Sequence, residues 1–356
     1  MNDTIDILKG EALSLLQELI SLPSFSKEEW QTASAISKYL AVKGVASSRI
    51  GNNVFATNKN FDAFKPSILL NSHHDTVKPN AQYTRDPFQA SIVDGKLYGL
   101  GSNDAGGCLV SLIAVFLHFY ERDDLAYNLI IALTAEEEIS GTGGIENLLP
   151  HLPPIDCGIV GEPTQMNLAI AERGLLVLDC VATGKAGHAA REEGDNAIYK
   201  AVKDISWIQS HPFTKVSEVL GPVKMSVTVM ETANKAHNQV PETCQFVVDV
   251  RVNELYTLEE IFEEVKHSLT SSVTPRSLRL RSSAISLAHP LVKAGLRLGK
   301  SYYGSPTTSD KALMPFPTLK IGPGDSARSH SADEFIYLTE IEEGIDLYIQ
   351  LLNQVL

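Results

Sequence analysis

Apolar residues open the chain at helical spacing. Leu8, Leu13, Leu16, Leu19 and Ile20 lie on one face of a predicted amphipathic helix. A second pattern predicts a helix from Glu28 to about Val42, with Ser26 ahead of it as a candidate cap. The period then changes. Short unbroken apolar runs, Ser67–Leu70, Leu129–Thr134 and Asp156–Val160, predict buried strands, and each ends in a polar cluster: NSHHD, AEEE and GEPT. Cys108–Tyr120, between the first two runs, predicts a helix. Strands alternating with helices imply an α/β fold with a mostly parallel sheet, whose ligands gather beyond the carboxyl ends of the strands. The three polar clusters fall at those ends.

From about Gly174 the pattern is different. Leu175–Thr183 alternates like a strand, Asn196–Ile208 is helical, and Pro222–Met230 and Thr243–Val252 are strands. Leu258–Leu269 is helical again, and Ser277–Ile285 alternates basic and apolar residues as a strand would. The order β-α-β-β-α-β is the ferredoxin-like split unit. Residues 173–286 therefore form an inserted α+β domain, and residues 1–172 and 287–356 form a discontinuous first domain. The last segment carries mixed structure and an amphipathic helix, Glu340–Leu352, and returns to the first sheet. A length of 356 residues suits two such cores.

Composition narrows the functional classes. Hydrophobic residues at 44% and charged residues at 21% are ordinary for a globular protein. A net charge of −13 argues against a nucleic-acid partner, which needs a basic footprint. The start MNDTIDILKG shows no basic segment followed by an apolar run, and the apolar stretches read as shorter than a membrane span needs. The expectation is a cytoplasmic protein with no membrane partner. Cys108, Cys157, Cys180 and Cys244 are scattered without paired spacing, which predicts buried reduced thiols rather than a structural zinc knot.

The strand-end residues carry the candidate chemistry. His73 and Asp75 stand two apart after a buried strand; a carboxylate behind a ligating histidine fixes its tautomer, although a hydrogen-bonded turn gives the same spacing. Asp104 lies among glycines in LYGLGSND, as a ligand or as a helix N-cap. Glu136, Glu137 and Glu138 repel one another unless a cation neutralises them, or unless the turn is simply solvated. One of these can bind metal while its neighbour serves as general base. Glu162 follows another buried strand, and His330 lies in the loop GPGDSARSHSADE. Two histidines with several carboxylates suit a pair of zinc ions, or cobalt or manganese, better than calcium. In the inserted domain, His188 in GKAGHAA, Asn238 in HNQVP and Arg251 in DVR are candidate donors, each with an ordinary structural alternative.

The motifs SHHDTV, LYGLGSND, TAEEE, GEPT, GHAA, NQVPE with DVR, and SHSADE occur in one order along nearly the whole chain. In them the sequence resembles the co-catalytic zinc exopeptidase and deacylase family, with its acetylornithine deacetylase branch nearest. The resemblance implies that family's catalytic fold with a lid domain that forms a homodimer. It implies His73, Asp104 and Glu162 on one metal, and Asp104, Glu138 and His330 on the other. Asp75 would orient His73, Glu137 would be the catalytic base, and His188 of a partner subunit would stabilise the oxyanion. Asn238 and Arg251 match positions that contact a substrate carboxylate. The implied activity is deacetylation of N2-acetyl-L-ornithine or N-acetylcitrulline in arginine biosynthesis. Desuccinylation, dipeptidase or carboxypeptidase activity, and a non-catalytic metal-binding protein are the alternatives. One departure stands out: Ala105-Gly106 replaces the Met-Lys common in relatives.

Overall fold

A computed structural model describes residues 2–191 and 193–356. The chain divides into two compact units. One runs up to Ile170 and resumes over Ala284–Tyr303 and Ser309–Leu356; the other spans Ala171–Ser283 and takes in Gly304–Thr308. That short return at 304–308 has no signature in the hydrophobic pattern.

The first unit is organised on a mixed sheet whose centre is parallel. Strand Ser67–His73 pairs parallel with Asn128–Thr134 on one side and with Cys157–Val160 on the other. Thr318–Lys320 adds parallel to Cys157–Val160, so the C-terminal segment does return to this sheet. Antiparallel strands flank this core: Asn53–Thr57 beside Asn128–Thr134, and Leu168–Glu172 beside Thr318–Lys320. Every residue of Ser67–His73 and Asn128–Thr134 is buried. Strands covered on both faces have no reason to alternate, which is why these read as continuous apolar runs.

Helix Gly107–Phe119 is apolar nearly all round, and all but Leu117 and His118 of its residues are buried. The window Ser102–Phe119 is long and apolar enough to cross a membrane, against the sequence expectation that no run reaches that length. It is 78% buried inside the protein, as befits a central core helix. The second helix is Trp30–Val42, and Ser26 does not cap it; the Ser26 hydroxyl donates to Asp75 instead.

The second unit is ferredoxin-like. Its antiparallel sheet runs in the order 224–231, 243–252, 174–183, 272–275. Strand Gly174–Thr183 buries alternate residues, and Leu176, Leu178 and Cys180 join Phe246, Val248 and Val250 in one core. The helix Leu258–Ser268 starts with a reciprocal Thr257–Glu260 capping box. The fourth strand is Ser272–Pro275, not the predicted 277–285. The strand pairing ends at Pro275–Leu178; beyond it single bonds, Arg276 N–H to Val177 O and Leu175 N–H to Leu280 O, both 2.9 Å, hold the alternating SLRLR segment without a regular ladder.

Candidate metal centre

The carboxyl ends of the parallel strands converge within the first unit. His73 is the last residue of its strand, Glu136–Glu138 follow the strand ending at Thr134, and Glu162 follows the strand ending at Val160. The loop after Thr318–Lys320 brings in His330. His73 Nε2 lies 3.3 Å from Asp104, 3.7 Å from Glu162 and 3.9 Å from Glu137. His330 Nε2 lies 2.9 Å from Glu138 and 3.7 Å from Asp104. Two overlapping donor sets result, His73-Asp104-Glu138 and His73-Glu137-Glu162, whose donor atoms all lie within 4.8 Å of one another in each set. His330 falls outside both sets and reaches the cluster through Glu138 and Asp104.

Asp75 organises this geometry from behind. It is wholly buried, and its backbone oxygen and carboxylate lie 3.0 and 3.3 Å from His73 Nδ1. The carboxylate also accepts the N–H groups of Glu137 and Glu138 at 3.1 and 3.2 Å. One side chain thus orients the imidazole and the turn that presents two acids. Glu136 has a different task. Its backbone is left-handed at φ 57°, and its carboxylate turns back to accept the Gly143 N–H. A Cβ at Gly141 or Gly143 would run into that carboxylate, so the glycines leave room for it. Of three adjacent acids, two face the centre and one braces the loop.

Sequence reasoning missed three buried acids here. Asp310 accepts the Thr134 hydroxyl at 2.7 Å beside the cluster. Glu29, fully buried, accepts the Glu136 N–H and an Asn52 amide. Glu334 accepts three N–H groups around Asp104. Only SHSADE hinted at the last. The departure at Gly106 also has a cause: a Cβ there would lie 2.5 Å from Gly101 O and 2.6 Å from Leu16. No lysine fits that spot.

The electrostatics are those of crowded acids short of positive charge. Burial, then the charges of Glu162, Asp310 and Glu138, push Glu137 well above the carboxylate range. Burial and Asp104 push Glu162 up to about 8, and burial pushes Asp310 up to about 6. Burial opposes a charged His73, yet Glu137, Asp104 and Asp75 hold its imidazole well above its usual range. The Glu138 hydrogen bond lifts His330 to about 9. Protons here stand where cations fit, and the mixed imidazole and carboxylate donors suit zinc-like ions.

A pH signature follows for the metal-free protein. Glu162, Asp310 and His330 all bind protons more tightly folded than unfolded, so their contribution is complete below the unfolded pKa values and is lost as pH rises through about 6 to about 9. The melting temperature of chelated protein is expected to fall across that window, and zinc-loaded protein to resist the fall. A flat profile for the chelated protein would contradict the proton-rich cluster.

Residues 69–354 match Peptidase family M20/M25/M40. The chain belongs to this family. As an M20 member it is a metal-dependent hydrolase, and its mostly parallel sheet with a ferredoxin-like insertion is the fold of its structural neighbours. A succinyl-diaminopimelate desuccinylase of Cereibacter sphaeroides is 25% identical over 375 residues, covering 96% of this chain and 98% of that protein. Succinyl-diaminopimelate desuccinylase 2 of Ruegeria sp. is 26% identical over 274 residues, 72% of this chain and 68% of the relative. Among solved structures, aminopeptidase PepT of Bacillus cereus superposes with a TM-score of 0.77 at 18% identity over 98% of both chains. A dinuclear metal-binding M20 peptidase of Bacillus subtilis gives 0.74 at 16% identity over 99% of both. At such identities the structures speak for the fold.

In the inserted unit, His188 sits on a two-stranded ribbon, Gly187–His188 against Gln239–Val240, next to Asn238, whose carbonyl accepts the Ala189 N–H. His188 is exposed, and its Nδ1 accepts the Ala190 N–H, which leaves the ring proton on Nε2. Arg251 is held by Asp249 through Nε and Nη2 at 2.8 and 3.0 Å, the structural ion pair that its local sequence also allowed.

Proposed function

We propose that the chain hydrolyses the amide bond of an N-acyl amino acid with two divalent ions, zinc first among them, held by His73, Asp104, Glu138, Glu162 and His330. The observation that carries this reading is the pair of donor sets that overlap at His73, with Asp104 Oδ1 facing His73 and Oδ2 facing His330. Such ions supply Lewis acidity and a more acidic water. Glu137 takes a proton from the attacking water and delivers it to the leaving amine. Asp75 keeps His73 and the Glu137–Glu138 turn in register. His188, from the inserted unit of a partner subunit, donates Nε2–H to the developing oxyanion. Asn238 and the remaining Nη1 of Arg251 bind the substrate carboxylate.

Within this class we read the substrate as N2-acetyl-L-ornithine or N-acetylcitrulline, on the motif resemblance, which places a deacetylase in arginine biosynthesis in the cytoplasm. A second reading, an N-succinyl amino acid, is favoured by the relatives named as succinyl-diaminopimelate desuccinylases at 24–26% identity. A side-by-side assay of liberated amine from acetyl-ornithine, acetyl-citrulline, succinyl-ornithine, succinyl-diaminopimelate and dipeptides decides between them. A kcat/KM at least about tenfold higher for succinyl substrates would replace the first reading by the second. No hydrolysis of any of them by the zinc-loaded protein would sink both.

A homodimer is part of this proposal. The strand Lys224–Glu231 is an open sheet edge with Val229 and Met230 exposed, and Tyr199 and Val202 stand exposed on the helix Ala197–Ser210 of the same unit. An unprotected edge beside exposed apolar side chains is suited to a second copy. Met230→Lys is expected to shift the protein from dimer to monomer in light scattering and to lower turnover, because His188 would no longer reach its partner's site. A wild-type protein that is monomeric under assay conditions would refute this.

A further inference from the structure

We propose that Glu334 is a positioning residue of the metal centre, its buried carboxylate fixing the Gly101–Asp104 turn so that Asp104 presents one oxygen to His73 and the other to His330. The inference rests on the two-metal reading above and extends it to a residue outside the ligand set.

Asp104 stands on an irregular turn. Its own backbone at φ −121°, ψ 97°, and that of Ala105 at φ −117°, ψ 29°, depart from helical values just before the helix Gly107–Phe119. In such a turn the N–H groups of Gly101, Asn103 and Asp104 cannot enter a helical ladder, and buried N–H groups left alone are costly. Glu334, 2% exposed, receives all three: Asn103 and Asp104 donate to Oε1 at 2.9 Å and Gly101 donates to Oε2 at 3.2 Å. The Glu334 carbonyl also accepts the Gly99 N–H. Successive N–H groups converging on one anion make a concave nest, here filled by the protein's own carboxylate.

The opposite side of the turn is fixed as well. Asn103 exchanges two hydrogen bonds with the Asp325 backbone, each 3.0 Å. Glu334 follows His330 by one short loop, whose Asp333 is pinned by the Thr84 and Arg85 N–H groups. The carboxylate therefore ties together the two loops that bring Asp104 and His330 to Glu138. Adding another buried acid beside Asp104 is electrostatically adverse. A purely packing role is met as well by an apolar side chain; three aimed hydrogen bonds require an acceptor.

The experiment titrates cobalt(II) into metal-free wild type and Glu334→Gln, reading the visible ligand-field spectrum and bound metal per chain. The amide keeps the size of the side chain but can turn only one acceptor oxygen to the nest. At least one ion is expected to bind about 10–100-fold more weakly, the cost typical of losing an outer partner of a ligand. Excess cobalt is expected to restore most of kcat, which repair of a folding defect would not do. Should the glutamine variant not fold, Glu334→Asp, which retracts the carboxylate by one methylene, carries the same titration. In wild type, amide exchange at Gly101, Asn103 and Asp104 is expected to be slow. Equal affinities in wild type and variant, or fast exchange in wild type, overturn the role of Glu334. A wild type that binds fewer than two ions defeats the two-metal reading instead.

Discussion

Glu137→Gln is expected to keep two ions per chain and to lose turnover by about 10²–10⁴-fold, the usual worth of a positioned acid or base. The substitution preserves shape and the backbone N–H bond to Asp75, so the turn should not move. It removes the ability to accept a proton. In the metal-free protein burial, with Glu162, Asp310 and Glu138, pushes the Glu137 carboxyl well above the usual carboxylate range. Cations among these acids relieve that pressure and bring its proton affinity back toward a useful range. The loss should appear in kcat with KM nearly unchanged, because binding groups are untouched. Activity within about threefold of wild type would remove Glu137 from the chemistry. Loss of metal together with activity would make it a ligand instead.

Asp104→Ala is expected to reduce bound metal well below two per chain and to abolish measurable hydrolysis. Asp104 Oδ1 faces His73 while Oδ2 faces His330, so its removal takes a carboxylate from beside both imidazoles at once. Glu138 and Glu162 would then remain as buried acids with fewer cationic partners. The variant is therefore expected to share the pH-sensitive melting of chelated wild type even in excess zinc. Elemental analysis after gel filtration, with a hydrolysis assay on the same fractions, checks both halves. Two tightly held ions in the variant would rule out a shared carboxylate.

Much of the fold was legible because its strands are short, buried and interrupted by polar clusters. Continuous apolar runs at 67–70 and 129–134 announced a parallel core, and alternation at 175–183 announced a sheet with one covered face. The error at 277–285 shows the limit of that method. Basic-apolar alternation describes a half-exposed segment, but only a regular ladder, which ends just after Pro275, decides whether the segment pairs. The candidate ligands were visible because each sits in a compact motif, His73, Glu138 and Glu162 at or after strand ends and Asp104 and His330 in glycine- or serine-rich loops. Glu29, Asp310 and Glu334 were not. They bond to backbone N–H groups and hydroxyls from distant segments, and nothing in local spacing marks which far-off amide an acid will find. Glu136 was indistinguishable from its neighbours until its left-handed backbone turned it toward the glycine loop.

The donors come from both sides of an insertion, His73 before it and His330 after it, with the whole inserted unit translated between them. During synthesis the early acids emerge without their last imidazole, so the centre can close only after the inserted unit has been translated. A complete set of donors is thus available only once both units exist. A cell short of the ion would accumulate full-length chains whose final loop lacks its fastening, and that loop is where a protease would first find purchase.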